Sequence, residues 1–310
     1  MTRPEPPTTS RALRSDNDWW RIRDFIIDTY PITPTGFNWE NRRWEGWRFH
    51  RERPVPVRRL REVIRIWEAE GLIVGAAHPE GRGDAHLQLH PDFRHLESEM
   101  YGWAESHLSL PTQDGRGRTI TTFAFDYDSA RRGVLADRGW ERLEAGGMTR
   151  HLRLAPQRAP FTPRIEGYVL RSTRPGDRNV GQRMADVLNA GFGRDTHTAT
   201  EYVTFMTKCP TFRHDLNLVA ENPDGSFAAH VGGTFDERNR RGIVEPVCTD
   251  PPHRRRGLSG TLMRELFARF GDLGATDVYV DTGSAEAANA LYESVGFTEA
   301  YHGNVWRKTW

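Results

Sequence analysis

The chain has 310 residues, with 43 Lys and Arg against 42 Asp and Glu, a net charge of +1, and 37% apolar residues. That length suits two domains with a core each, and near-neutrality excludes a protein that holds nucleic acid by tracking its phosphates. Two cysteines, Cys209 and Cys248, give neither a disulfide framework nor a zinc spacing, and no run is as long as a membrane span, so a cytoplasmic protein with no membrane partner is expected.

In chain order, residues 1–10 are Pro- and Thr-rich, lack a signal-peptide core and are predicted to be loose. A Trp-rich segment follows, with Trp19, Trp20, Trp39, Trp44 and Trp47 beside Arg42, Arg43 and Arg48. Base stacking would use such residues, but at neutral net charge the segment reads as aromatic core with arginines packed on it. Strand character over 71–77 and 85–90, a helix over 95–108, a strand over 119–125 and a helix over 130–138 ended by Gly139 and Trp140 come next. His78, His86 and His90 lie there without a helical His pair or a nearby cysteine, so no metal site is expected. The Pro-bearing stretch from Leu154 to Pro163 predicts a linker over 155–164, separating domains at 11–154 and 165–310.

In the second half, 243–249 has strand character, although Pro246 cannot donate to a ladder and calls for an edge, a bulge or interrupted pairing. The stretch from Thr249 to Gly260 then joins this strand to an amphipathic helix through Arg254, Arg255, Arg256, Gly257, Leu258 and Ser259. The first turn of a helix offers N–H groups without partners and a positive dipole end, glycine lets backbone approach a ligand, and arginines neutralise phosphate. The spacing matches neither the P-loop nor the dinucleotide fingerprint, so neither ATP nor NAD is favoured. Leu258, Leu262, Leu266, Phe267 and Phe270 mark one helical face that Gly271 and Gly274 end. A strand over 277–282 and a helix over 285–294, closed by Gly296 and Phe297, complete a strand–helix–strand–helix unit.

This order repeats that of the first half. Pro91 with Pro251 and Gly139 with Gly296 are offset by ~160 residues, as in a duplicated unit. The copies differ chemically. Glu97 stands where the second copy has Gly257, and Leu135-Ala136 aligns with Leu291-Tyr292, so the first copy is expected to be silent: a carboxylate there repels a pyrophosphate.

The loop from Arg254 to Ser259, with the later Leu291-Tyr292 and Gly296-Phe297, resembles the two hallmarks of the GNAT N-acetyltransferase superfamily, with Ser259 where that pattern has Gly or Ala. The resemblance implies an α/β (α+β mixed sheet) protein of two tandem GNAT-like domains. It implies acetyl-CoA as the acyl donor and a small-molecule amine as acceptor, by direct transfer. It also implies a strand around Pro246 that bulges and splays from its parallel neighbour to admit the pantetheine arm. The resulting cofactor set is Val247, Cys248, Thr249, Arg254, Arg255, Arg256, Gly257, Leu258, Ser259, Gly260 and Asn289, where Asn289 either bonds the pantetheine or serves as a cap.

Acyl transfer needs an amine deprotonated, a carbonyl polarised and a thiolate protonated. Strand alternation puts Glu245 on the face of Val247 and Thr249, making it the candidate base, the alternative being an exposed Glu at a strand start. Backbone N–H groups near Val247 and Cys248 suit the carbonyl oxygen. Tyr292, at the superfamily's Leu-Tyr position, is the candidate acid, the alternative being a ring that packs on the cofactor. Cys248 itself reads as a packed residue rather than a nucleophile. His197 and Tyr202 are acceptor-pocket candidates by the resemblance alone. A non-catalytic acyl-CoA sensor is the alternative function, and an oligomer is compatible with the sequence.

Overall fold

A computed structural model describes residues 6–155 and 164–310; most of the predicted linker lies outside the described residues. The first half runs β1 (Thr8–Ala12), α1 (Asp16–Thr29), α2 (Asn41–Phe49), α3 (Val57–Val63), β2 (Arg65–Ala69), β3 (Leu72–His78), β4 (His86–Leu89), α4 (Glu97–Leu108), β5 (Leu110–Pro111), β6 (Arg118–Phe125), α5 (Ser129–Asp137) and β7 (Glu141–Arg153). The second runs β8 (Val169–Ser172), α6 (Val180–Phe192), α7 (Ala199–Lys208), β9 (Asn217–Glu221), β10 (Phe227–Asp236), β11 (Arg241–Thr249), α8 (Leu258–Asp272), β12 (Asp277–Thr282), α9 (Glu286–Ser294) and β13 (Glu299–Thr309). The mixed α/β class follows. No helix among the described residues is long and apolar enough to cross a membrane.

Two compact units form, and neither is contiguous. One holds Met1–Asn41, Val55–Met148 and Tyr301–Trp310, the other Arg42–Pro54 and Thr149–Ala300. The contiguous halves 11–154 and 165–310 therefore differ from the units at three places: Tyr301–Trp310 belongs with the first unit, while Arg42–Pro54 and residues 149–154 belong with the second. Residues 8–10, expected to be loose, instead pair as part of β1 with β2, Thr8 opposite Ala69 and Ser10 opposite Trp67. Ile66, Trp67 and Ala69 of β2 are buried, with a register shift against β3 between Trp67 and Glu68, and β1 pairs with the backbone edge of β2 that would otherwise stay open.

In the first unit β1-β2-β3-β4 form an antiparallel sheet, and β6 pairs antiparallel with β13 from Thr119 opposite Thr309 to Phe125 opposite Gly303. The core gathers Trp67, Leu89, Met100, Tyr101, Ile120, Leu135, Trp140 and Trp306. Trp19 and Trp39 of the Trp-rich segment are buried here, and Trp44 and Trp47 are buried in the second unit, as packing rather than base stacking requires.

In the second unit β8-β9-β10-β11 are successive antiparallel neighbours and β12 adds to β11 in parallel. The face predicted from spacing is the one α8 buries: Leu258, Leu262, Met263, Leu266, Phe267 and Phe270 pack against Val231, Val244, Val278 and Val280. Each such side chain contributes about 1.5–3 kcal/mol when fully buried, so this seam fixes α8, and with it the loop that precedes α8, on the sheet. The other sheet face is covered by α6 and α7 through Met184, Val187, Leu188 and Tyr202, against Val219, Phe227 and Cys248.

Candidate active site

The site begins with an irregularity in β11. Against β10 the register runs Val231 opposite Val247 and then jumps to Gly233 opposite Val244, so Glu245 and Pro246 together face Gly232, a β-bulge. A Cβ on Gly232 would stand 2.5 Å from the Glu245 carbonyl oxygen and 2.9 Å from Pro246 Cδ, so the bulge requires glycine opposite it. Gly232→Ala is expected to lower stability by roughly 1–3 kcal/mol, the cost of overpacking against backbone, and urea unfolding with an unchanged midpoint would refute that reading. The bulge also corrects the alternation: Val244 and Val247 both pack toward α8, Cys248 packs toward α6, and Glu245, exposed, does not share the face of Val247 by a simple period of two.

On its other side β11 pairs with β12 only from Arg241 to Ile243. Beyond Ile243 the paired register ends while β12 continues to Thr282, and the edge from Val244 to Thr249 faces a gap. The bond from Asp250 N–H to the Ala228 carbonyl, 2.9 Å, sets which groups face it, because antiparallel pairing alternates. Cys248 turns its N–H to β10, whereas Val247 and Thr249 turn theirs to the gap. Of the two expected carbonyl-polarising donors, the Val247 N–H therefore faces the gap and the Cys248 N–H does not. Burial, first of all, pushes the Cys248 thiol up to about 12, which keeps it a neutral packed group.

At the end of β11, Thr249 Oγ1 and Ser259 Oγ lie 2.6 Å apart, tying the strand to the first turn of α8. Between them the loop turns through Arg255 at φ 63° and Gly257 at φ 77°, left-handed conformations that only glycine adopts without cost. Around Gly257 a Cβ would find no protein atom within 4 Å, so that space is open to a ligand. Arg255 and Arg256 are exposed and have no hydrogen-bond or ion-pair partner among the described residues. Arg254 differs from expectation: its Nε donates to the Thr249 carbonyl at 3.2 Å and its Nη2 to the Gly191 carbonyl at 2.9 Å, so it latches the loop to the end of α6 instead of standing free for phosphate. Leu258 is buried in the α8 seam, and Gly260 faces Leu291 and Val295 of the α9 region at ordinary contact distance, so both are packing residues of the cradle.

Tyr292 lies on α9 with its ring edge-on to Phe297 at 5.8 Å, buried. Burial first, then the charges of Glu245 and Asp281, push its hydroxyl up to about 12, which places Glu245 and Asp281 in its electrostatic neighbourhood. The phenol is thus a proton donor across the neutral range. Asp281 itself accepts from Thr149 Oγ1 at 2.6 Å. Asn289 is committed to the scaffold: its Nδ2 donates to the carbonyls of Gly283 and Ala285, both at 3.0 Å, and its Oδ1 accepts from Arg150 Nε at 2.9 Å. Asn289 lies within α9, whose N-cap position is Ala285 with no side-chain cap bond, so it braces the turn before the helix and is not a cap.

The α6–α7 side holds groups that spacing did not reveal. A capping box joins Thr198 and Glu201 at the start of α7, which orients the Glu201 carboxylate so that His197 Nδ1 lies 2.9 Å away. His50, from Arg42–Pro54, brings its Nδ1 to 3.5 Å from the same carboxylate. His50, His197 and Glu201 present ligand atoms within 4.8 Å of one another, the spacing a metal ion would need. Two cations oppose that: Arg42 and Arg194 both disfavour a further positive charge at His50, whose pKa burial, first, and then Arg42 lower to about 3. Tyr202, the other expected acceptor residue, is buried beside Cys248 in one apolar cluster. None of Arg42, His50 and Glu201 was predicted, because nothing local in sequence marks residue 42 as a neighbour of residue 205.

The equivalent places in the first unit are filled. Glu97, the first residue of α4, is buried and accepts from Arg94 Nη2 and Arg131 Nε, both at 2.8 Å; Arg94 also bonds Asp128 at 2.7 Å. A carboxylate of the chain thus already neutralises these arginines. The later alignment shifts by one: Phe297 N–H bonds the Tyr292 carbonyl at 3.1 Å and Trp140 N–H bonds the Leu135 carbonyl at 2.9 Å, so Leu135, not Ala136, stands in the place of Tyr292. The phenol is absent either way.

Residues 183–297 match the family model described as the acetyltransferase (GNAT) family. Along nearly its whole length the chain is similar in structure to a GCN5-related N-acetyltransferase from Sphaerobacter thermophilus, at 19% identity, 98% of this chain, 97% of the other and a TM-score of 0.65. It is similar as well to a tandem GNAT protein of the clavulanic acid biosynthesis pathway, at 16% identity, 98% of each chain and a TM-score of 0.64. Among curated proteins, a pantothenate synthetase of Rubrobacter xylanophilus is 26% identical over 70% of this chain and 88% of its own.

Proposed function

From the premise that residues 183–297 form an acetyltransferase domain of the GNAT family, on a chain whose fold is that of tandem GNAT proteins, we propose that this acyltransferase moves an acetyl group from acetyl-CoA to the amine of a small molecule, by direct transfer while both are bound. The observation that supports this most is the gap beside β11, opening at its far end onto a loop with two unpaired arginines and an open left-handed glycine. The name of the curated relative points to a synthetase reaction, but the loop lacks a P-loop, and the family match over 183–297 favours acyl transfer.

The residues fit a CoA thioester. First-turn N–H groups of α8, Arg255, Arg256 and the space over Gly257 receive the pyrophosphate. The Val247 N–H is aimed into the gap, where it donates to the carbonyl oxygen as charge develops there. Glu245 accepts the ammonium proton, directly or through water, and Tyr292 holds the proton that the departing sulfur needs. CoA supplies the activated acyl group; the chain supplies position and protons.

An assay of thiol release from acetyl-CoA over a panel of amines tests the whole reading, and no release with any amine refutes it. Within that assay Glu245→Gln is expected to be about 10²-fold slower near neutral pH and to recover partly as pH rises. The sign follows from the amine: at higher pH more of it is already neutral and needs no base. A pH–rate profile superimposable on the parent's excludes Glu245 as base.

A further inference from the structure

Arg42 is out of place for a cation. It is 5% exposed, lies with its guanidinium carbon 4.5 Å above the Phe205 ring, and has no carboxylate within ion-pair distance and no hydrogen-bond partner among the described residues. A buried guanidinium without an anion is costly unless something else pairs with it. Its position is held deliberately: a Cβ on Gly46, one turn along α2, would stand 2.2 Å from Arg42 Nη1.

The surroundings repeat the imbalance. His50 packs edge-on against the same Phe205 ring at 5.1 Å and lies 5.5 Å from the His197 ring. Arg194 bonds His197 Nε2 and stacks at 4.7 Å over Phe192, again without a carboxylate among the described residues. Glu201 is the one carboxylate that these contacts include, and it is shared by His197, the Thr198 N–H and His50. Glu45, three residues along α2 from Arg42, is buried as well, but its carboxylate accepts from Cys209 Sγ at 3.0 Å and Thr211 Oγ1 at 2.7 Å, and it forms no ion pair with Arg42 among the described residues. Two polar atoms next to this group are also left over: the Tyr202 hydroxyl and His230 Nδ1 are buried without partners among the described residues, with the two rings 6.4 Å apart, edge to face. Tyr202 shares its apolar cluster with Cys248 of β11, so the unpaired positive charge borders the strand that presents Val247 to the acyl group.

We propose that the acceptor amine carries a carboxylate, and that Arg42, with Arg194 beside it, receives that group while the amine reaches the end of β11. This rests on the acyl-transfer reading and narrows its substrate class to amino acids or similar amino-carboxylates. Charge-assisted bidentate pairing with the guanidinium is the strong form of such recognition.

The test compares L-amino acids with their primary carboxamides as acceptors in the thiol-release assay. The amide's amine is the more easily deprotonated, so intrinsic reactivity runs against the acids. The parent is expected to prefer the acids, and Arg42→Gln to lose roughly tenfold to hundredfold of kcat/KM for them, mostly through KM, with amides little changed and CoA titration unaltered. Arg42→Lys, which keeps the charge, should restore part of the preference. Equal use of acids and amides by the parent, or an unchanged preference in a folded Arg42→Gln, overturns the proposal. If Arg42→Gln does not fold, Arg194→Gln at an exposed position decides: a weakened preference supports the proposal and an unchanged one overturns it. If no amine releases thiol, the acyl-transfer reading fails on its own; calorimetric binding of the same amino acids to CoA-saturated protein then decides, with binding that is lost in Arg42→Gln supporting the anion site and no binding overturning it.

Discussion

Gly257→Glu is expected to abolish CoA binding while the protein stays folded. The folded state bears the change well, because no protein atom lies within 4 Å of the new Cβ; the left-handed backbone costs about 1–2 kcal/mol, and a carboxylate at the N-terminus of α8 returns about 0.3–1 kcal/mol through the helix dipole. The ligand bears it badly. Two like charges 4 Å apart repel by about 4 kcal/mol at the effective dielectric near a protein surface, and the carboxylate would also draw Arg255 and Arg256 away from phosphate. Together these predict a fall of at least about 10²-fold in affinity.

The first unit shows the end state of such a change, since Glu97 holds Arg94 and Arg131 at 2.8 Å; burial works against the charge on Arg131, but the Glu97 and Asp128 carboxylates outweigh it and keep Arg131 protonated, its pKa raised. The intact chain should therefore bind one CoA. Calorimetry checks both statements: two equivalent CoA sites, or an unchanged affinity in Gly257→Glu, would remove the cradle and the asymmetry between copies together. Gly257→Ala separates the causes, because it keeps the backbone strain without the charge and should weaken binding far less.

What the sequence made legible was contiguous. From β11 to α9 the elements follow one another within about sixty residues, each with its own periodicity and turn chemistry, and apolar spacing alone predicts the face of α8 that meets Val244 and Val278. Pro246 announced an edge, a bulge or interrupted pairing, and the family resemblance implied the bulge, but nothing in the sequence placed it opposite Gly232, and a strict period of two then misplaced Glu245. Contacts distant in the chain were not legible. That Arg42–Pro54 folds with the second unit and Tyr301–Trp310 with the first depends on pairings no local pattern encodes, so Arg42, His50 and the carboxylate they surround could not be assembled beforehand. Arg254 and Asn289 failed for a different reason: residue type predicts a capacity to bind, while the carbonyls of Thr249, Gly191, Gly283 and Ala285 decide where that capacity is spent.

Tyr292→Phe is expected to cost about 10²-fold in turnover and to leave CoA affinity nearly unchanged. The substitution keeps the ring that packs edge-on to Phe297 at 5.8 Å, and it removes a hydroxyl that has no hydrogen-bond partner among the described residues, so neither folding nor cofactor packing supplies a large penalty. What is lost is a proton needed only as the sulfur departs, and an interaction made only then appears in kcat rather than in ground-state binding. The pH dependence sharpens the test. With its pKa pushed up to about 12, by burial first and by Glu245 next, the phenol stays protonated as pH rises until that value is approached, so the ratio of parent to variant rates should be constant from about pH 7 to 10. Equal losses in CoA binding and in turnover would instead assign Tyr292 a packing role, and a rate ratio that collapses toward unity well below about pH 10 would show that the titrating acid is another group.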